Sequence, residues 1–183
     1  MSCSTLSSLA FISVGRTAQA ALLERAVASL ETALEKRPQF PDARALLATC
    51  IATWAFADPA RRDQLIPRIY ETWKTVPEDG GNPRVMMLRA MSLIFAPPPY
   101  GNRDKGLELW HQAIKRFETE RPEPLSPDWG NVEALAWLGG AHLFANEPKE
   151  AAPYLERAVK MRPDFWWASK AALPFARRPI AVK

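Results

Sequence analysis

The sequence predicts an all-α chain: an α-solenoid of helix pairs with about three full repeats, an N-terminal partial pair and a C-terminal capping helix. Three observations carry this. First, residues 24–40, ERAVASLETALEKRPQF, and 149–165, KEAAPYLERAVKMRPDF, agree at Ala26/Ala151, Leu30/Leu155, Glu31/Glu156, Ala33/Ala158, Arg37/Arg162, Pro38/Pro163 and Phe40/Phe165. The same small-x3-large-x2-small spacing recurs more loosely at Leu65, Ile69, Thr72 with Pro77, and at Gly106, Trp110, Ala113 with the proline delayed to Pro122. These copies start at 26, 65, 106 and 151, intervals of 39, 41 and 45 residues. Self-similarity at such periods marks stacked supersecondary units. Second, Arg44-x2-Leu47-Ala48-x2-Ile51, Leu88-x2-Met91-Ser92-x2-Phe95 and Leu135-x2-Leu138-Gly139-x2-His142 superpose as the i, i+3, i+7 stripe of a helix preceding each later copy. Third, 17 prolines against 8 glycines describe helices punctuated by proline-bounded turns.

Taken in order, residues 1–16 allow two readings. Ala10, Ser13, Val14 and Thr17 have the spacing of a weak first helix. The apolar run 6–14 followed by Ala18-Gln19-Ala20 also reads as the remnant of an export signal, although Arg16 interrupts it and no Lys or Arg precedes the run. From Thr17 to Lys36 a helix carries Leu23, Val27, Leu30 and Leu34 on one stripe. The next helix opens near Pro41 and buries Ala43, Leu46, Leu47, Cys50, Ile51 and Trp54. Asp58-Pro59 reads as N-cap and first-turn proline of a helix to about Thr75. Pro67 in that helix and Pro153 in the last copy share a register, two residues after the small position, so each predicts a bend and not a break. Residues 78–82 form a turn, and Asn82-Pro83 opens a helix through Val85, Leu88, Met91 and Phe95. Ala96-Pro97-Pro98-Pro99-Tyr100-Gly101-Asn102 is a stretch no helix continues through. Asn102 or Asp104 starts the following helix, which passes Leu107, Trp110, Ile114 and Phe117 to about Glu120. Residues 121–128 form a loop from which Ser126-Pro127 caps the next helix. After Pro163 a short helix at 165–173 covers the open end of the stack. The division is thus 1–16, a repeat domain at 17–174, and a basic tail at 175–183.

The stretch 131–165, with Leu135-x2-Leu138-Gly139-x2-His142, then Ala151-x3-Leu155, Ala158 and Pro163, resembles one tetratricopeptide repeat. Such a unit is two antiparallel helices of about 34 residues with small residues at their crossing. Leu135 and His142 stand where that repeat prefers Trp and Tyr. Asn82-Pro83-Arg84, Tyr100-Gly101 with Lys105-Gly106, and Pro127-Asp128-Trp129-Gly130 are similar to a group of bacterial tetratricopeptide proteins. The resemblance implies a right-handed solenoid of antiparallel pairs whose ligands lie in a concave groove lined by the first helices. Carried over, that groove is Asp42, Ala45, Thr49, Met86, Arg89, Leu93, Glu133, Ala136 and Gly140. It lacks the dense Lys/Arg/Asn clamp of carboxylate-binding members, so a peptide C-terminus is not the expected ligand.

Composition bounds the rest. A chain of 183 residues that is 48% hydrophobic and 24% charged can bury one sizeable core. Its net charge of +4, with pI about 9.3, is spread along the chain and gives no basic stripe, so no nucleic-acid partner is expected. No apolar run reaches the roughly 18 residues that span a bilayer. Cys3 and Cys50 make no framework, and Cys50 falls within an apolar helical stripe. The two histidines, His111 beside Trp110 and His142 at an aromatic-preferring place, read as a surface and a packing residue; no metal-ligand spacing, phosphate loop or nucleophile elbow occurs. Trp54, Trp110 and Trp137 lie on helical stripes, whereas Trp129, Trp166 and Trp167 lie near loops or the end helix. The expectation is a non-catalytic, cofactor-free scaffold holding a peptide or partner protein in the groove. Its Trp-rich C-terminal end would serve as the homodimer surface in a self-associating variant. The alternative is a small-molecule-binding accessory or carrier with a pocket under loop 96–102. The compartment is cytoplasmic on the chain as it stands, or periplasmic if residues 1–20 are a signal remnant.

Overall fold

A computed structural model describes residues 16–77, 81–121 and 127–178, and all regular structure among them is helical. The elements are α1 (Arg16–Lys36), α2 (Pro41–Ala57), α3 (Arg62–Lys74), α4 (Pro83–Phe95), α5 (Arg103–Thr119), α6 (Asn131–Phe144), α7 (Pro148–Met161), a π-helical turn Trp167–Ala172, and α8 (Leu173–Ala176). The residues assigned to a leader or weak first helix, 1–15, lie outside the described part. Helix starts follow the cap chemistry in two places. Asn82 accepts the N–H groups of Arg84 (3.0 Å) and Val85 (3.4 Å), and Asn102, not Asp104, accepts that of Lys105 (3.0 Å). Each side chain satisfies backbone donors that a helix start leaves without partners.

Successive helices pack on one another from α1 to α3 and again from α4 onward, and the packing of α2 on α4 joins the two runs. The core is one cluster, with Leu23, Ile51, Trp110, Leu135, Leu138 and Leu155 fully buried. Cys50 belongs to it as a small apolar filler. At the crossings the small residues are dictated by space. A Cβ on Gly139 would stand 2.6 Å from Leu155 Cγ, and one on Gly106 would stand 2.6 Å from Ile94 Cγ1. Polar ties also join helices that are not consecutive. Glu24–Arg61 (3.1 Å) and Glu31–Arg68 connect α1 with the start and middle of α3. Arg103–Glu147 (2.5 Å), His111–Tyr154 (2.9 Å) and Glu118–Arg157 (2.5 Å) connect α5 with α7.

Pro67 and Pro153 are both the sixth residue of an uninterrupted helix, so neither ends its helix. Several expectations are corrected. Asp58-Pro59 does not open α3. Asp58 instead heads a tight turn, its carboxylate accepting the N–H of Ala60 (3.2 Å) and its carbonyl that of Arg61 (3.2 Å), and the helix starts at Arg62. Nor does Ser126-Pro127 cap α6: Ser126 is outside the described residues, and Pro127 precedes a non-helical lead-in that ends at Gly130. Gly130 has φ +117°, which only glycine adopts without strain, and its N–H is taken by the Glu133 carboxylate (3.0 Å). Phe95, assigned to a buried stripe, is 45% exposed, because α4 ends there and no following turn covers it. The capping segment is wound wider than an α-helix at Trp167–Ala172, just before Pro174, whose missing N–H removes one α-type bond. Residues 175 and 176 belong to α8, so the tail is helical at its beginning.

Candidate functional site

Asp42, Ala45, Thr49, Met86, Arg89, Leu93, Glu133, Ala136 and Gly140 are the residues the register places on the first-helix face, and the structure sorts them. Ala45 and Ala136 are fully buried, and Gly140 is buried with Trp167 Cη2 only 2.8 Å from where its Cβ would stand. Thr49, Met86, Arg89, Leu93 and Glu133 are half-buried. Arg89 lies 4.3 Å over the ring of Trp73, to whose carbonyl it donates (3.4 Å). Glu133 accepts from Gly130 N–H and from Arg162 (2.7 Å). What this face still offers to solvent is Thr49, Met86 and Leu93, with the edges of Arg89 and Glu133.

Asp42 belongs to a different structure. It is buried, and its Oδ2 accepts from Asn82 Nδ2 (2.9 Å), while Oδ1 faces Arg84 Nε at 3.9 Å. Arg84 has a side chain only 4% exposed and makes a two-pronged bond to Glu120 (2.6 and 2.9 Å). It also donates to the carbonyl of Pro127 and lies against the rings of Phe117 (5.6 Å) and Trp129 (5.9 Å). One guanidinium thereby ties α2, the end of α5 and the lead-in to α6 to the first turn of α4. Fork-shaped recognition of a carboxylate is what arginine does and lysine does not. Beside this node opens a shallow cleft of about 360 Å³ lined by Gly81, Asn82, Pro83, Arg84, Arg116, Thr119 and Glu120. In the sequence Arg84 stands out only as part of Asn82-Pro83-Arg84, yet a signal for its role exists. Pro41-Asp42 and Pro83-Arg84 place opposite charges at the same step of two proline-opened helices.

At the other end of α4 and α6 stand Phe95 (45% exposed) and Phe144 (74% exposed), edge to face with centroids 5.8 Å apart. Phe56, one residue before the end of α2, is 71% exposed. Each precedes an alanine at the end of α2, α4 or α6, as Phe56-Ala57, Phe95-Ala96 and Phe144-Ala145. In loop 96–102, Tyr100 lies against Tyr70 of α3, the rings tilted by 35° with centroids 4.2 Å apart, so Tyr70 takes the space beside that ring. Around the capping segment Trp137 stacks on Trp167 (4.9 Å), while Met161, Trp166 and Phe175 are half or more exposed. Trp54 and Trp110 are buried, and Trp110 donates to the carbonyl of Ala134 (3.0 Å), tying α5 to α6.

Both histidines meet at Tyr154. His142 is buried with its ring parallel to the tyrosine ring (5.7 Å, 3°), and its Nδ1 lies 2.7 Å from Glu147 Oε2. Exposed His111 places Nε2 2.9 Å from the Tyr154 hydroxyl. The hydrogen bond from His142 and the Arg103 guanidinium hold the Glu147 carboxyl below its ordinary range. Burial, then His142 and Lys115, lower the pKa of His111. No family model, curated protein or solved structure matches this chain.

Proposed function

We propose that this chain is a non-catalytic protein–protein interaction scaffold. In this reading it is a right-handed solenoid of antiparallel helix pairs of tetratricopeptide type, and it holds a peptide or partner protein along the first-helix side. The observation that carries the reading is the contacting, strongly exposed pair Phe95–Phe144, repeated in kind by Phe56. Large exposed aromatics in contact with one another are the kind of surface that partners cover. Half-buried Thr49, Met86 and Leu93 lie on the same helices and extend the surface away from that edge. The solenoid arrangement is supported by the ties between non-consecutive helices, α1 with α3 and α5 with α7, and by the packing of α2 on α4.

A photoreactive phenylalanine analogue at Phe144 or Leu93 tests the reading, with Lys160 on α7 as the control position. Partner crosslinking concentrated at the two first-helix positions is expected. Equal yield at Lys160 would remove the claim. The carrier alternative gains nothing from loop 96–102, where Tyr70 packs directly on Tyr100. Self-association through Met161, Trp166 and Phe175 is measured by light scattering across a concentration series. A mass that stays monomeric throughout counts against it.

A further inference from the structure

We propose that the C-terminal capping segment docks this chain on an anionic bilayer surface, with its outward aromatics at the headgroup layer and its cations against lipid phosphates. The net charge of +4 is not spread evenly along the chain. Residues 160–183 hold six Lys and Arg against the single Asp164, whereas residues 1–159 hold 18 against 19. The positive excess of the whole sequence therefore sits around the capping segment, among Met161, Trp166 and Phe175, each half or more exposed.

The fold gathers these residues on one face. The segment from Trp166 onward winds at about four residues per turn, because its π-helical turn is wider than an α-helix. Buried Ala168, Ala172 and Ala176 recur every fourth residue and form its inner side, toward α6 and α7. Exposed Trp166, Lys170 and Arg178 keep the same step but are offset by two residues, which is half a turn. They point away from the stack. Phe175 stands beside them, with the Arg178 guanidinium 5.4 Å over its ring. Arg162 and Arg177 are taken by Glu133 (2.7 Å) and Glu156 (2.8 Å). Among the described residues, Lys160, Lys170 and Arg178 are then the cations of this region without an acidic partner.

This face is the outward side of a helix and not a groove, which suits a plane better than an inserted peptide. Tryptophan and phenylalanine at helical spacing among Lys and Arg make up the composition of helices that lie in a membrane interface. Their rings settle at the headgroup level while the long cationic side chains reach the phosphates. No helix among the described residues is long and apolar enough to cross a membrane, and the attachment proposed is to the surface of one leaflet. Docking in this way leaves the other aromatic edge free. Arg162 pairs with Glu133 in the first turn of α6, so the turn bearing Met161 and Trp166 lies at the opposite end of α6 from Phe144.

Cosedimentation of the full chain with lipid vesicles tests the docking. Vesicles of equal parts phosphatidylglycerol and phosphatidylcholine should retain the chain, and about 0.5 M salt should release it. Vesicles of phosphatidylcholine alone should not retain it. Lys170→Gln with Arg178→Gln should weaken partition about fivefold for each charge removed. Trp166→Ala should weaken it as well, whereas Lys105→Gln with Lys115→Gln on α5 should leave it nearly unchanged. All of these side chains are exposed, so the variants keep the fold. No retention on anionic vesicles, equal retention on phosphatidylcholine alone, or an equal loss from the α5 pair overturns the proposal. So does a concentration-dependent dimer that Trp166→Ala dissolves while vesicles stay bare, since a second copy is then the occupant. Crosslinking at Phe144 and Leu93 is read without lipid, so the scaffold reading and the docking fail separately.

Discussion

Two nodes hold non-consecutive helices together, and they differ in kind. At the start of α4, Arg84 collects Glu120, the Pro127 carbonyl and, at longer range, Asp42. At the start of α7, Glu147 collects His142 and Arg103. In both, one charged residue beside a helix start gathers partners from more than one other element, some of them about 40 residues away. The first is sealed: the Arg84 side chain is 4% exposed and arginine stays charged at every working pH. The second is open, with Glu147 35% exposed and a histidine among its partners. A buried permanent charge makes a rigid joint that fails only when it is cut. A half-exposed titratable one makes a joint whose strength follows the solution.

Cutting the sealed node should give the largest effect. Arg84→Ala leaves Glu120 and buried Asp42 without their cation, and removing one partner of a buried ion pair costs about 3–5 kcal/mol. Urea unfolding measures it, and a loss under about 1 kcal/mol would mean that this node is no tighter than a surface pair. Arg84→Lys should recover only part of the loss, because an ammonium cannot span both Glu120 oxygens. Gly139→Ala supplies a reference from within a helix pair. The new methyl meets Leu155 at the branch of its side chain, which cannot swing away, and overpacking of this sort costs about 1–3 kcal/mol. If Gly139→Ala proves more damaging than Arg84→Ala, the joints are weaker than the pairs they connect.

The open node is probed with acid. Glu147 titrates below its ordinary range when folded, because His142 donates to it and Arg103 lies beside it. Its contribution is therefore fully present above the unfolded carboxylate pKa and is lost as pH falls through the lower folded value. Melting temperature followed from pH 6 to pH 3 should fall less steeply for Glu147→Gln than for the parent chain. Equal slopes would show that the hydrogen bond to His142 contributes nothing to folding.

What the sequence made legible is what lies within one turn. Arg37-Pro38-Gln39-Phe40 and Arg162-Pro163-Asp164-Phe165 end their helices alike. The arginine N–H bonds a carbonyl four residues back at 2.9 Å in both, and the guanidinium lies over the phenylalanine at 5.0 and 4.5 Å. The next elements differ: Pro41 opens a full helix, whereas Trp166 leads into a π-helical turn. The same spacing rules placed the caps at Asn82 and Asn102 and nearly all of the core stripes. The candidate site was less legible, because register specifies which face of a helix a residue occupies and not what arrives opposite. Asp42 shares the register of Met86 and Glu133, yet partners from 40 residues on draw it into a joint. His111 and Tyr154 are 43 residues apart, and no local pattern pairs them. Phe95 ends its helix, where the absence of a further helical turn leaves a stripe position exposed.

The ring of Phe144 combines the smallest stability effect with the sharpest functional one. It is 74% exposed, with Phe95 as its edge-to-face neighbour, so Phe144→Ser removes little buried area. Surface changes of this kind stay within about 0.5 kcal/mol, and solubility should improve as apolar area is taken off the surface. If stability is preserved while partner crosslinking from Leu93 is lost, the ring is kept for binding. If Phe144→Ser instead unfolds the chain as readily as Gly139→Ala, the aromatic edge is part of how α4 and α6 hold together. Thr49, Met86 and Leu93, with Phe56 and the edges of Arg89 and Glu133, would then be left to receive a partner on this face.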